Sequence, residues 1–230
     1  MKLGIIGAMD VEVQTILQNC VSLREYEIGH FKIYTGKIGN QEVVVMKCGI
    51  GKVNAAIGTQ IMLDRFAVDA VLNTGIAGGI HPDLKVGDMV VSSKVAHHDV
   101  NVTNFGYKQG QLPQLPLWFE ADRALIHLVQ KVKSLRLGPI VSGDQFICEN
   151  EVKKSLWERF EPLCAEMEGA SIAQTCYLNK VPFVIVRAIS DQADAQGSII
   201  YEQFEEQAAK ECAELVLEIA SQLGGQNVLQ

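Results

Sequence analysis

Carboxylates carry most of the chemistry that this chain could perform. Glu12 stands with Asp10 just after the first apolar run, Glu166 and Glu168 flank Met167, and Asp191 closes the most apolar run of the sequence. An aspartate at the end of a buried strand loses the solvent that favours its charged form, which raises its pKa and suits it to donate a proton. Glu166 and Glu168 are two residues apart, so extended backbone would turn both the same way and the start of a helix would splay them. A carboxylate can accept hydrogen bonds from two vicinal hydroxyls, so this pair is suited to gripping a ribose. Against each stands a plainer role, as a helix cap or part of a solvated rim.

Other chemistries find less support. Gly49-Ile50-Gly51-Lys52 and Gly75-Ile76-Ala77-Gly78-Gly79 could cradle an anion, yet neither has the spacing of a P-loop or a dinucleotide fingerprint, and Gly4-Ile5-Ile6-Gly7-Ala8 lacks it too. His97-His98-Asp99 has no third histidine or cysteine at ligand spacing, and adjacent side chains diverge, so no metal is expected there. The six cysteines (Cys20, Cys48, Cys148, Cys164, Cys176, Cys212) form no CxxC pair and sit mostly among apolar residues, the pattern of inert, buried thiols. With 27 Asp+Glu against 20 Lys+Arg and no basic block, nucleic acid is a poor partner. Apolar runs such as 181–186 are too short to cross a bilayer, and the N-terminus has no basic-then-apolar leader, so a cytoplasmic protein is expected.

The elements that must position these carboxylates can be read from periodicity. A chain of 230 residues, 48% hydrophobic and 20% charged, is expected to bury one core as a single domain over 1–230. Leu3 to Gly7 reads as a strand, Met9 to about Asn19 as a helix, and 31–38 with 42–48 as a hairpin around Gly39-Asn40. Residues 52–66 form a helix whose core face is expected at Val53, Ala56, Ile57, Gln60, Ile61 and Leu63. The run 70–73 reads as a strand entering a glycine-rich loop, 89–92 as a strand, and about 96–118 as a long aromatic loop. Helices are expected over 122–135, 151–160, 168–178 and 201–223, with strands at 138–141 and 181–190, the latter central. Alternating strands and helices plus one hairpin predict a three-layer α/β/α fold on a mixed central sheet, with a site at the carboxyl ends of strands.

Five segments together resemble the 5'-methylthioadenosine/S-adenosylhomocysteine nucleosidases of the purine nucleoside and uridine phosphorylase superfamily. They are Gly4 to Met9 with Glu12, Asn73 to Gly79, Val141 to Phe146, Glu166 to Ala170 and Arg187 to Asp191, in family order from Met1 to about Leu223. The resemblance implies a nucleoside phosphorylase-like fold, a homodimer, and hydrolysis of the adenine to ribose bond in the salvage of methionine-derived nucleosides, without metal or cofactor. It makes Asp191 the acid that protonates adenine N7 and Glu12 the base that activates water, with Glu168 on the ribose hydroxyls and Met167 packed on the sugar. Phe146 is similar to the aromatic that stacks on the purine, and the backbone of Ile147 to the group that reads its edge. In the same motifs Ser190 is implied as a substrate-binding residue and Glu166 and Arg187 as supports, while Tyr201, also implied at the substrate, stands where related enzymes carry phenylalanine.

The resemblance also gives the aromatic loop a use. Val102, Phe105, Tyr107 and Pro113 would reach into the neighbouring subunit's site and cover the 5'-thio group, joined there by Met9 and Ile50 of the host. Asn73 stands where related phosphorylases carry an arginine for phosphate, and Ile76 replaces a hydroxyl-bearing residue. A dianion beside these loses its charge-assisted partners, so water is the expected nucleophile. The alternatives are a phosphorylase, a nucleosidase for an adenine-containing futalosine derivative, and a binding module without turnover.

Overall fold

The computed structural model describes residues 1–195 and 197–225; the last five positions of the expected 1–230 unit lie outside them. The described residues form β1 (Lys2–Gly7), α1 (Asp10–Gln18), β2 (Val21–Ile28), β3 (Phe31–Ile38), β4 (Gln41–Lys47), α2 (Lys52–Phe66), β5 (Ala70–Asn73), β6 (Ile76–Gly79) and β7 (Met89–His97). A 3-10 turn at Thr103–Phe105 interrupts the long loop, and then come β8 (Phe119–Glu120), α3 (Arg123–Val132), β9 (Arg136–Ser142) and α4 (Asn150–Phe160). The chain closes with β10 (Cys164–Glu166), α5 (Gly169–Asn179), β11 (Phe183–Asp191) and α6 (Gly197–Gly225).

All eleven strands join one mixed sheet in the order β2-β3-β4-β1-β5-β11-β6-β10-β9-β7-β8, and β11 also pairs with β7. Strands β4, β1, β5, β11 and β6 run parallel, while β2, β3 and β4 form an antiparallel meander. The layers follow from period-2 side-chain alternation on strands apolar on both faces. On β11, Val184, Val186 and Ala188 face a core shared with α1, α3 and α6. Phe183, Ile185 and Ile189 face the opposite core, shared with α2 and α5. The sheet is thus sandwiched between two helical layers, as the alternation predicts. Among the described residues no helix is long and apolar enough to cross a membrane.

Two expected elements need correction, and one strand stands where periodicity predicts none. The glycine-rich stretch after β5 is not only a loop: Ile76–Gly79 is a strand, parallel to β11 and antiparallel to β10. Strand β2 escapes the pattern because Arg24, Glu25 and Glu27 break its apolar alternation, and it is exposed along most of its length at the sheet edge. Helix α2 buries Ala55, Gly58, Thr59 and Met62, whereas Val53 and Ile57 are 68% and 48% exposed. A Cβ on Gly58 would lie 2.8 Å from the Met46 side chain, so the helix sits against the sheet through its small residues. Of the cysteines, Cys48, Cys164, Cys176 and Cys212 are buried and Cys20 half-buried, but Cys148 is exposed.

Candidate active site

Asp191 owes its position to an irregularity at the end of β11. The register against β6 skips between Ile189 and Asp191, which pairs with Gly78. Such a bulge re-aims a side chain at the sheet edge. The carboxyl accepts from the Ser190 hydroxyl (2.9 Å) and from the Ala193 N–H (2.8 Å) and is almost fully buried. Burial pushes its pKa up, with the two hydrogen bonds and Lys153 opposing.

Glu12 comes from the first turn of α1, directly after β1. Its Oε2 accepts from the N–H groups of Ala8 (2.6 Å) and Met9 (3.0 Å), and its Oε1 from that of Ile76 (3.1 Å). The side chain therefore caps its own helix and spans to β6. Gly75 is obligatory in this packing, since a Cβ there would lie 2.4 Å from Glu12 Oε1. Burial raises the Glu12 pKa, opposed by the charge of Arg187 and by the three N–H donors.

Glu166 and Glu168 divide the two roles that their spacing left open. Glu166 ends β10 and turns inward, where it caps α5 by accepting from the N–H groups of Glu168 (3.0 Å) and Gly169 (2.8 Å). It also accepts from the Ser142 hydroxyl and from Arg187 Nη2 (2.5 Å). Arg187 is 1% exposed and donates as well to Asn73 Oδ1 (2.6 Å) and the Val186 carbonyl. Glu166 is held ionised below its ordinary range: burial alone would raise it, and the guanidinium and its hydrogen bonds outweigh that. Glu168 faces the cavity and accepts from the Gly51 N–H at 2.8 Å; Gly51 has a φ of +98°, in the region that favours glycine. Burial, reinforced by the Glu166 charge, pushes Glu168 up to about 8.

These carboxylates share a cavity of about 390 Å³, a volume suited to a small organic ligand. Met9, Glu12, Ile50, Phe146, Ile147, Glu166, Met167, Glu168, Ser190, Asp191 and Tyr201 all line it, as does Ile76. The Phe146 and Tyr201 rings meet edge to face at 5.5 Å, and the Tyr201 hydroxyl lies 3.5 Å from Met9 Sδ. Arg187 stands behind the wall rather than in it. Val102, Phe105, Tyr107 and Pro113 do not line this cavity; they belong to the segment 98–118, where Phe105 is 80% exposed. The lining residues include Glu12, Glu166, Glu168, Asp191 and Glu202 and no Lys, Arg or His.

Sequence spacing gave no sign of the residues that fasten the walls. Asp99 accepts from Lys52 Nζ (2.6 Å) and from the Asp144 N–H (3.0 Å), while Asp144 accepts from the Lys52 N–H (2.7 Å). That triangle ties the loop bearing Ile50 to the loop bearing Phe146. His97 bonds Gln174 at 2.9 Å, and a Cβ on Gly143 would fall within 2.4 Å of the His98 ring. The histidine pair thus packs beneath the same loop.

A family model described as the phosphorylase superfamily matches residues 2–221. A 5'-methylthioadenosine/S-adenosylhomocysteine nucleosidase of Desulfotalea psychrophila is 44% identical over 97% of this chain and 98% of its own length. The nucleosidase of Neisseria meningitidis, solved with methylthio-immucillin-A, is 40% identical with a TM-score of 0.94, covering 96% of this chain and 99% of that one. The chain belongs to this nucleosidase family. It is an N-glycosyl hydrolase with the nucleoside phosphorylase-like fold. A futalosine hydrolase of Helicobacter pylori is also similar, at 33% identity and a TM-score of 0.94 over 96% of this chain and 98% of that one.

Two outcomes follow from this geometry. Gly75→Ala forces a methyl against Glu12 and should reduce turnover by about tenfold or more, measured beside a circular-dichroism melt that reports the cost in stability. Glu168→Gln tests the raised carboxyl. A carboxyl held neutral in the folded state up to about pH 8, but ionised in the unfolded chain above about 4.5, makes the parent lose stability as pH rises between those values. The ligand-free glutamine variant should match the parent near pH 4.5 and exceed it by about 1–3 kcal/mol near pH 8.5, several degrees in melting temperature.

Proposed function

We propose that this enzyme hydrolyses the bond between adenine and ribose in 5'-methylthioadenosine, S-adenosylhomocysteine and 5'-deoxyadenosine, in the cytoplasm and in the salvage of methionine-derived nucleosides. The observation that carries the reading is the convergence of Glu12, Glu168 and Asp191 on one nucleoside-sized cavity whose described lining holds no cationic side chain. Asp191, whose protonated form burial favours, gives its proton to N7, and the C1'–N9 electron pair leaves with adenine as the neutral base. A water attacks C1' as positive charge builds on the ribose, and Glu12 takes the water's proton. Glu168, pushed up to about 8 by burial and the Glu166 charge, accepts from the 2' and 3' hydroxyls, and the positive charge developing on the ribose favours its ionised form. Phe146 stacks on the purine, the Ile147 backbone reads its edge, and Met9, Ile50, Met167 and Tyr201 enclose the sugar and its 5' substituent.

Water rather than phosphate is the nucleophile in this reading. Asn73 is engaged with Arg187 and donates to the Ile6 carbonyl (2.8 Å), and Arg187 is engaged with Glu166. A phosphate dianion at C1' would meet Glu12 and Glu168 with no guanidinium or ammonium on the lining. Product analysis tests this: free adenine and 5-thioribose should appear equally with and without phosphate. Ribose 1-phosphate formed only with phosphate would overturn it. The likeness to a futalosine hydrolase favours aminofutalosine as a second substrate to assay beside 5'-methylthioadenosine.

The two carboxyls must be in opposite protonation states, so kcat/KM should fall on both sides of an optimum, through protonation of Glu12 on the acid limb and ionisation of Asp191 on the alkaline limb. Asp191→Asn and Glu12→Gln should each lower kcat by about 10²–10⁴-fold, and each should flatten its own limb. Near-parental turnover in either folded variant would reject that assignment.

The reading includes a homodimer with shared sites, in which Val102, Phe105, Tyr107 and Pro113 cover the neighbour's 5' pocket. Its support is the exposed apolar set Ile50, Val53, Ile57, Phe105, Tyr177 and Leu178, more than scattered surface residues require. Ile57→Asp should shift the protein toward a monomer in sedimentation and lower its activity with little change in folded secondary structure. A parent enzyme that sediments as a monomer at assay concentration would refute the shared site.

A further inference from the structure

The turn that follows Asp191 is held in an unfavourable backbone conformation, and its polar anchors, Leu84 and Lys153, lie outside the cavity lining. Ala193 has a φ of +49° and is fully buried. The left-handed region is unfavourable for a non-glycine residue. The conformation has a use: it brings the Ala193 N–H to Asp191 Oδ1 at 2.8 Å. Three contacts hold the turn in place. Gln192 Nε2 donates to the Leu84 carbonyl (3.1 Å), the Ala193 methyl packs among Ile80, Val141, Ile147 and Leu156, and Lys153 Nζ donates to the Gln192 carbonyl at 2.5 Å.

Lys153 is the charged member of that set. It rises from the first turns of α4, is half-buried, and crosses to the backbone beside the carboxyl that the proposed mechanism uses as its acid. The charged and titratable groups around Asp191 are Lys153 from α4, Asp194 in its own loop, Tyr201 from α6 and Cys164 from β10, with Glu12 and Glu202 on the same cavity. Burial keeps Tyr201 and Cys164 neutral well above the neutral range. Lys153 is therefore the group that opposes Asp194 and the burial of Asp191. We propose that Lys153 is a positioning residue for the proton donor: from α4 it fixes the turn that aims Asp191, and its charge sets the field in which that carboxyl releases its proton.

The inference rests on the reading of Asp191 as the acid and adds a residue to it. Removing the cation takes away a stabiliser of the carboxylate, so Asp191 keeps its proton to higher pH. Loosening the turn misplaces the donor, which acts in bond breaking more than in substrate binding.

The test measures kcat and kcat/KM against pH, with 5'-methylthioadenosine, for the full chain and for Lys153→Met, Lys153→Arg and Lys154→Met, each with a melting curve. Lys154 is the neighbouring control, an exposed lysine 3.7 Å from Glu158. Lys153→Met should lose about tenfold in kcat with KM within about threefold. Its alkaline limb should move up by about half a pH unit. Lys153→Arg should restore both properties, and Lys154→Met should alter neither. A folded Lys153→Met with parental kcat or an unmoved limb overturns the proposal, as does a loss that arginine does not restore. If Lys153→Met melts below assay temperature, Lys153→Gln carries the test, a raised limb supporting the assignment and an unmoved one overturning it. Asp191→Asn separates the two levels. Parental turnover there removes the acid assignment itself, whereas an inactive Asp191→Asn beside a parental Lys153→Met removes only the role of Lys153.

Discussion

A guanidinium sealed from water sets the electrostatics on which the cavity depends. Arg187 lies on the central strand with its charge inside the protein, and taking such a group out of water costs several kcal/mol unless an anion accompanies it. Glu166 is that anion, fixed by the guanidinium, the Ser142 hydroxyl and the first N–H groups of α5. Once Glu166 is ionised, a second carboxylate a few residues away becomes expensive, and Glu168 is pushed up. Glu12 feels the same cation from the other side, which moderates the rise that burial alone would cause. One buried cation thus grades three carboxyls, with Glu166 held below its ordinary range and Glu12 and Glu168 raised above theirs.

Topology supplies the convergence. Glu12, Glu168 and Asp191 are far apart in sequence, yet β1, β10 and β11, the strands that precede or carry them, lie within the stretch β1-β5-β11-β6-β10 of one sheet. Asn73, at the end of β5, stitches that stretch by donating to the Ile6 carbonyl and accepting from Arg187. The bulge on β11 and the close approach permitted at Gly75 are the local departures from regular structure that the site needs. Both occur where a side chain must reach across the end of a strand instead of along its face.

Much of this was legible in the sequence wherever a local pattern decides the outcome. The long helices, the β3–β4 hairpin and the buried central strand announce themselves by period, and the carboxylates Glu12, Glu168 and Asp191, placed at or just after strand ends, line the cavity. Pattern failed where pairing or docking decides. Ile76–Gly79 is a strand because β11 and β10 flank it, not because four residues with two glycines favour extension. Helix α2 has apolar residues on more than one side, and periodicity cannot say that Ala55, Gly58 and Met62 meet the sheet while Val53 and Ile57 stay outside. The Lys52–Asp99–Asp144 triangle and the reach of Lys153 to the Gln192 backbone join segments remote in the chain, and nothing in their spacing foretells them.

The all-acidic rim around the cavity has a consequence for the other adenine compounds that a cell contains. Nucleotides carry the same base and ribose but bear phosphoryl groups at the 5' position, and the described lining offers those charges no ammonium or guanidinium. A phosphorylated 5' end would enter this cavity without the charge-assisted partners that a phosphate dianion requires.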